Sequence, residues 1–259
     1  MTGPERSGGA GHQGLSSQAG GRSGGRMTTF EKALGLGDDA LIAAQRLAEW
    51  CSRAPDMEED IALANIALDQ LGAARLLLTY AGELEGRGRG EDELAFLRDD
   101  REFRNVQLVE LANGDFAVTM AKLLLLSVYQ RLLYESLASS SDERLAGIAG
   151  KARKESAYHV DHASLWVVRL GDGTEESRRR MRTALDAVWP YSHELFEWYP
   201  ELRAPWLSVI DEVLTEAGLA RPADGWAPTG GRSGVHTEAL SRLLADMQVL
   251  HRAHPGVTW

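Results

Sequence analysis

Residues 58–80 read EEDIALANIALDQLGAARLLLTY, and apolar side chains fall on every side of the helix that this stretch predicts. Ile61, Leu63, Ile66, Leu68, Leu71, Leu76, Leu77 and Leu78 leave no single wet face, the pattern of a helix enclosed by protein. Asn65, Asp69 and Gly72 interrupt it at steps of four and three, which places them on one stripe of the expected buried surface. A buried carboxylate must be paired, hydrogen-bonded, protonated or bound to a metal. Function therefore turns on the state of Asp69.

The flanking segments give further helices. Gly37-Asp38-Asp39 opens one, with Asp38 as cap and Asp39 at the positive end of the helix dipole. Leu41, Ala44, Leu47 and Cys51 form its apolar face, and Glu49 lies beside that face. Pro55 ends this helix and Asp56 caps the next, so the two form an antiparallel hairpin. The polar run EDELAFLRDDR (91–101) reads as a surface excursion. A third helix, apolar nearly all round, follows the Asn113-Gly114-Asp115 turn over 116–138, with Ser127 in its middle. The fourth starts after Asp142, runs to Leu170 and is closed by Gly171-Asp172-Gly173. Ile148, Ala152, Glu155, His159, Ala163, Trp166 and Leu170 trace its inward face; His162 lies at the edge, and Lys151, Arg153, Lys154 and Asp161 point outward. Thr174 caps a fifth helix that stops before Pro190, and short helical pieces complete the chain. No stretch alternates as a strand would. The expected fold is all-α, a four-helix bundle with additional C-terminal helices.

Charge and composition narrow the function. The net charge of −10, from 38 acidic and 28 basic residues, argues against nucleic acid, whose binders need a basic face. A single cysteine, Cys51, excludes a disulfide framework or zinc ribbon, fits a reduced cytoplasmic setting and reads as core. No uninterrupted apolar run approaches the roughly 18 residues of a membrane span, so no membrane role is expected. Residues 1–26 are Gly- and Ser-rich and are expected to be a disordered tail, with residues 27–259 as one helical domain.

Inward carboxylates and histidines on four long helices raise the question of a carboxylate-bridged di-metal centre. That centre needs a Glu from each of two helices and Glu-x-x-His from each of the other two. Counted from Asp69, the position three on is Gly72; the third helix offers Ser127; counted from Glu155, it is Tyr158, and histidine follows one later at His159. The set Glu49, Asp69, Glu155, His159 and His162 is thus incomplete for metal, and a buried hydrogen-bond or ion-pair network is the alternative use of the same residues. His236, His251 and His254 read as surface or interface residues, and Trp189, Trp198, Trp206 and Trp226 as core or partner contacts. No phosphate loop and no serine or cysteine nucleophile motif is present.

Several blocks taken together resemble one family. They are DDALIAAQRLAEWC with the helix that follows it, DELAFLRDDREFRN, NGDFA, KESAYHVDHASLWVVRLGDGTEES, and GVHTEALSRLLADMQVLHRAHPGVTW. In this order, and covering residues 30–259, they are similar to the structural subunits of bacterial phenylacetyl-CoA epoxidases. The resemblance implies a ferritin-like fold and a hetero-oligomer with a catalytic di-iron paralogue, a small accessory subunit and a reductase carrying FAD and an iron–sulfur cluster and using NADPH. It also implies no catalytic residue, metal or cofactor in this subunit, so that Glu49, Asp69, Glu155, His159 and His162 would be a vestigial centre. The competing expectation is a free-standing di-iron or di-manganese oxidase that uses those five residues unconventionally.

Overall fold

The computed structural model describes residues 1, 3 and 27–257; the expected disordered tail over 1–26 lies, apart from Met1 and Gly3, outside the described residues. Two antiparallel hairpins make the body. The first joins α1 (Thr29–Ala48) to α2 (Met57–Glu85), and the second joins α5 (Phe116–Leu137) to α6 (Glu143–Asp172). Packing of α2 along α6 closes the four-helix bundle. Between the hairpins run two short helices, α3 (Glu91–Phe96) and α4 (Gln107–Glu110). The C-terminal part is α7 (Glu175–Ser192), α8 (Arg203–Glu216) and α9 (Glu238–Ala253), joined by 3₁₀ turns. Among the described residues there is no strand.

Local chemistry sets most of the ends. Asp56, Asp115, Asp142 and Thr174 each accept a backbone N–H of the first turn behind them, at 2.9–3.1 Å. Gly86 ends α2 in the left-handed conformation, φ 68°.

Several sequence expectations change. First, α1 begins at Thr29, capped by Thr28 with Glu31 in a capping box. Asp38 and Asp39 therefore sit in mid-helix and are buried. Gly37 permits close packing instead of opening a helix: a Cβ there would lie 2.9 Å from Leu78. Second, Cys51 is exposed on the turn after α1. Third, the 91–101 excursion is anchored, with Leu94 and Arg98 fully covered. Fourth, α7 continues through Pro190, held by the buried Trp189 and Ser192 on either side.

The largest change concerns α2. By length and hydropathy both α2 and α5 could cross a membrane, yet they are used differently. α5 lies in the centre, covered by α6, α7 and α8. α2 is covered on one side only, and Ile61, Leu68 and Leu76 are 57%, 64% and 41% exposed. A helix apolar all round does not have to be enclosed within its own chain.

Candidate functional site: the polar seam between α2 and α6

The antiparallel run of α2 along α6 brings some of the expected residues together and separates others. Asp69 Oδ2 lies 3.1 Å from Nε2 of His159. Glu155 feels the Asp69 charge and lies 3.5 Å from the Lys151 ammonium. His162 faces Glu59 at 3.2 Å, a carboxylate expected only at the start of its helix. Glu49 takes no part: it bonds Arg46 and Asn113. Asp69 itself is not enclosed, since about a third of its side chain (35%) meets solvent, and Asn65 is exposed. The Asn65–Asp69–Gly72 stripe therefore runs along the rim of the bundle.

The inward register is one residue on. Gln70 and Ala73 on α2 and Ser156 and His159 on α6 are all buried, and each pair has the i, i+3 spacing of a Glu-x-x-His site. The residues are wrong for metal. Gln70 and the buried Gln130 of α5 exchange amide hydrogen bonds of 2.7 and 3.0 Å, which consumes a donor and an acceptor on each. Ser156 turns its hydroxyl back onto the carbonyl of Ala152 at 2.7 Å. Ser127 does the same with Leu123 at 2.6 Å. Ala73 offers no donor atom.

Only His159 keeps the form of a ligand. Its Nε2 is held by a carboxylate, the usual outer partner of a metal-binding imidazole, and its buried Nδ1 makes no hydrogen bond among the described residues. Burial lowers the pKa of His159 below the ordinary imidazole value, against the pull of Asp69. The ring is therefore neutral, with Nε2–H donating to Asp69 and a lone pair on Nδ1. Burial lowers the His162 pKa as well, and desolvation raises that of Glu155. One imidazole among amides and hydroxyls cannot neutralise two di- or trivalent ions, a task that falls to carboxylates in such sites. Among the described residues, no three His, Cys, Asp or Glu side chains gather to hold a metal. The residues do not fit a di-metal centre.

A second polar network lies elsewhere and was not foreseen. Asp38 forms a two-pronged pair with Arg98 and accepts the N–H of Arg104 at 2.8 Å. Asp39 pairs with Arg232 at 2.7 and 3.0 Å and accepts the N–H of Val106 at 2.8 Å. Glu194 receives the N–H groups of Gln107 and Gly231, at 2.7 and 2.6 Å. Glu110 receives Thr237 N–H at 2.6 Å, Asn105 at 2.9 Å and His236 Nδ1 at 2.8 Å. These buried carboxylates tie α1, the 98–110 connection and the 231–237 turn together. His236 is thus internal, contrary to expectation: its Nε2 also meets the carbonyl of Phe103 at 3.1 Å. An acceptor at each nitrogen favours the doubly protonated ring: burial opposes its charge, and Glu110 and the Phe103 carbonyl outweigh that and raise the pKa above the ordinary imidazole value. His251 stacks on Phe96 at 4.9 Å, and His254 is exposed. Of the tryptophans, Trp189 and Trp206 are core and Trp226 is exposed. Burial among carbonyls pushes the Lys122 ammonium down to about 7.

Fold and seam together define a helical bundle with the layout of a carboxylate-bridged di-metal protein, in which amides and hydroxyls take the place of the ligands. The chain belongs to the phenylacetic acid catabolic protein family, whose model matches residues 17–259, and that family is ferritin-like. Over 241 residues it is 43% identical to the C subunit of the 1,2-phenylacetyl-CoA epoxidase of Escherichia coli (strain K12), covering 87% of this chain and 97% of the relative.

Proposed function

We propose that this chain is the C subunit of a multicomponent 1,2-phenylacetyl-CoA epoxidase of phenylacetate catabolism, and that its part in the complex is structural. The identity to the relative over nearly the whole of both chains supports the first statement. The second rests on one observation above all: Gln70, Ala73 and Ser156 occupy buried positions at ligand spacing, with the buried Gln130 bonded to Gln70, and none of the four can carry the negative charge that a metal pair requires. In this reading the iron lies in a catalytic paralogue, with a small accessory subunit and an NADPH-dependent reductase bearing FAD and an iron–sulfur cluster completing a cytoplasmic hetero-oligomer. Glu49, Asp69, Glu155, His159 and His162 are then not ligands. Asp69 and His159 keep a carboxylate–imidazole pairing that outlived the metal, Glu49 and Glu155 pair with Arg46 and Lys151, and His162 lies beside Glu59.

The test is His159→Ala in the reconstituted complex. With assembly intact, epoxidation of phenylacetyl-CoA and the iron content of the complex stay within about twofold of wild type, since loss of a ligand or of its outer partner in a working site costs about 10–100-fold. Loss of iron or activity from an assembled complex contradicts the structural role.

A further inference from the structure

The side of the bundle formed by α2 and α6 stands open. Of the four long helices, α5 is roofed by α7 and α8, and α1 is packed by α4, whereas α2 has only α1, α6 and the short α3 as substantial neighbours. Glu59 faces His162 near one end of the α2–α6 pair, and Glu83 meets Arg144 at 2.6 Å near the other. In that antiparallel register Ile61 stands level with Leu165, and Leu68 with Tyr158. All four are about half exposed or more: 57%, 49%, 64% and 52%. Each level thus carries one large apolar side chain from each helix, and the two levels lie about two turns apart.

Such a face complements itself. A second copy can lie over it about a two-fold axis that crosses both helices midway between the two levels, next to the exposed Asn65. Each helix then lies on its own counterpart with its direction reversed. Ile61 of one copy meets Leu68 of the other, and Leu165 meets Tyr158. The same operation carries the exposed Met57 onto Gly72, which leaves a dent in α2 between Leu68 and Leu76. The nearest atom to a Cβ placed at Gly72 is Lys151 Nζ, at 3.9 Å, so a side chain enters there as a knob enters a hole.

Charge selects this orientation. At the end where α2 begins the exposed groups are Asp56, Glu58 and Asp172, while Arg169 folds over Trp166 at 5.3 Å. Toward the far end they are Arg75, Lys151 and Lys154, with Glu91 on Arg75 and Glu155 on Lys151. Reversal sets the acidic end of each copy on the cationic end of the other, so the gain comes twice. A two-fold axis along the helices would set like on like, and an anionic membrane would gain at one end and lose at the other. Asp161, close to the axis, meets its own counterpart, and that repulsion limits the affinity. Area is sufficient. Two adjacent helices of 29 and 30 residues present a face of about 44 by 20 Å, or about 900 Å², against the roughly 800 Å² per partner of a stable interface.

We infer that two copies of this chain associate through the α2–α6 face about that two-fold axis. The inference is independent of the function proposed above, and the outer faces of α7, α8 and α9 stay free for subunits of other sequence. Pairing covers the Ile61–Leu68–Tyr158–Leu165 quartet and removes Asp69 and Glu155 from water, so the polar seam lies directly under the interface.

The experiment is sedimentation equilibrium of the full chain under reducing conditions, comparing wild type, Leu68→Asp/Leu165→Asp, and Val249→Asp/Leu250→Asp on the exposed tip of α9 as a control surface. The expected wild type has twice the mass of one chain at micromolar concentration. The α2–α6 variant loses about 30-fold or more in dimer affinity, the scale of an interface hot spot, the α9 variant loses none, and Asp161→Asn binds its copy more tightly. Cross-linking locates the axis without disturbing the apolar quartet. In a Cys51→Ser background, Asn65→Cys gives a disulfide-linked pair on mild oxidation, whereas Arg75→Cys, about 30 Å from its counterpart, gives none. A monomeric wild type overturns the inference, whether the face then binds phosphatidylserine vesicles or a subunit of another sequence. A dimer that Leu68→Asp/Leu165→Asp leaves intact overturns it too, as does linkage through Arg75→Cys in place of Asn65→Cys. Each of these results leaves the proposed function standing.

Discussion

His159 and His236 show how the same side chain takes opposite charge states from its surroundings. His159 has one carboxylate on Nε2, a buried and unbonded Nδ1, and a pKa lowered first by burial. His236 has acceptors at both nitrogens and a raised pKa. An NMR titration of the ring protons should therefore give His236 a midpoint above the ordinary imidazole value of about 6.5, and His159 and His162 midpoints below it; the reverse order would contradict these assignments. The sign for stability follows by linkage. The imidazolium of His236 contributes fully below its unfolded value near about 6.5, and the contribution is lost as pH rises through the higher folded value. The groups around it are Glu110 directly, Asn105 and Thr237 on the same carboxylate, and Glu194 at longer range.

At the scale of elements, α2 shows what a sequence can and cannot say. Its existence, its Asp56 cap and its hairpin with α1 were legible, because capping and helix-breaking chemistry is local. Its orientation was not. Asp69 and Gln70 differ by about 100° around the axis, and a helix with apolar residues on every side gives no moment to choose between them. Reading Asp69 as the inward residue displaced the whole metal register by one, so that Asp69 and Gly72 stood in for Gln70 and Ala73, and Glu155 and Tyr158 for Ser156 and His159. The early start of α1 was missed for a similar reason: Gly37-Asp38-Asp39 has the composition of a helix start, and only the distant Arg98 and Arg232 explain two aspartates in mid-helix. The amide pair between α2 and α5 makes a separate prediction. Gln130→Leu strands the buried amide of Gln70 and should cost about 1–3 kcal/mol, whereas the double change Gln70→Leu/Gln130→Leu should recover most of it. Urea denaturation of the three proteins checks this, and a double variant less stable than the single one would refute the pairing.

In the whole molecule, two polar systems do different work. The internal lattice of Asp38, Asp39, Glu110 and Glu194 with their arginine, histidine and backbone donors fastens the connecting and C-terminal segments to α1. Breaking such pairs one-sidedly is costly because a charge remains buried alone, so the lattice fixes one arrangement of the outer segments around the bundle. The seam between α2 and α6 keeps the outline of a metal site on the side left uncovered. A bundle freed of ligating residues can close its interior with amides and hydroxyls and give an outer helix pair to a partner. The structural role stands on that division of labour, and metal content tests it most directly. The chain expressed alone in iron-rich medium and purified without chelator should carry far less than one iron or manganese per molecule by plasma mass spectrometry, while its complex with the catalytic paralogue holds about two, all of it retained when His159 is replaced by alanine. About two tightly held metal ions in the isolated chain, lost in His159→Ala, would contradict it.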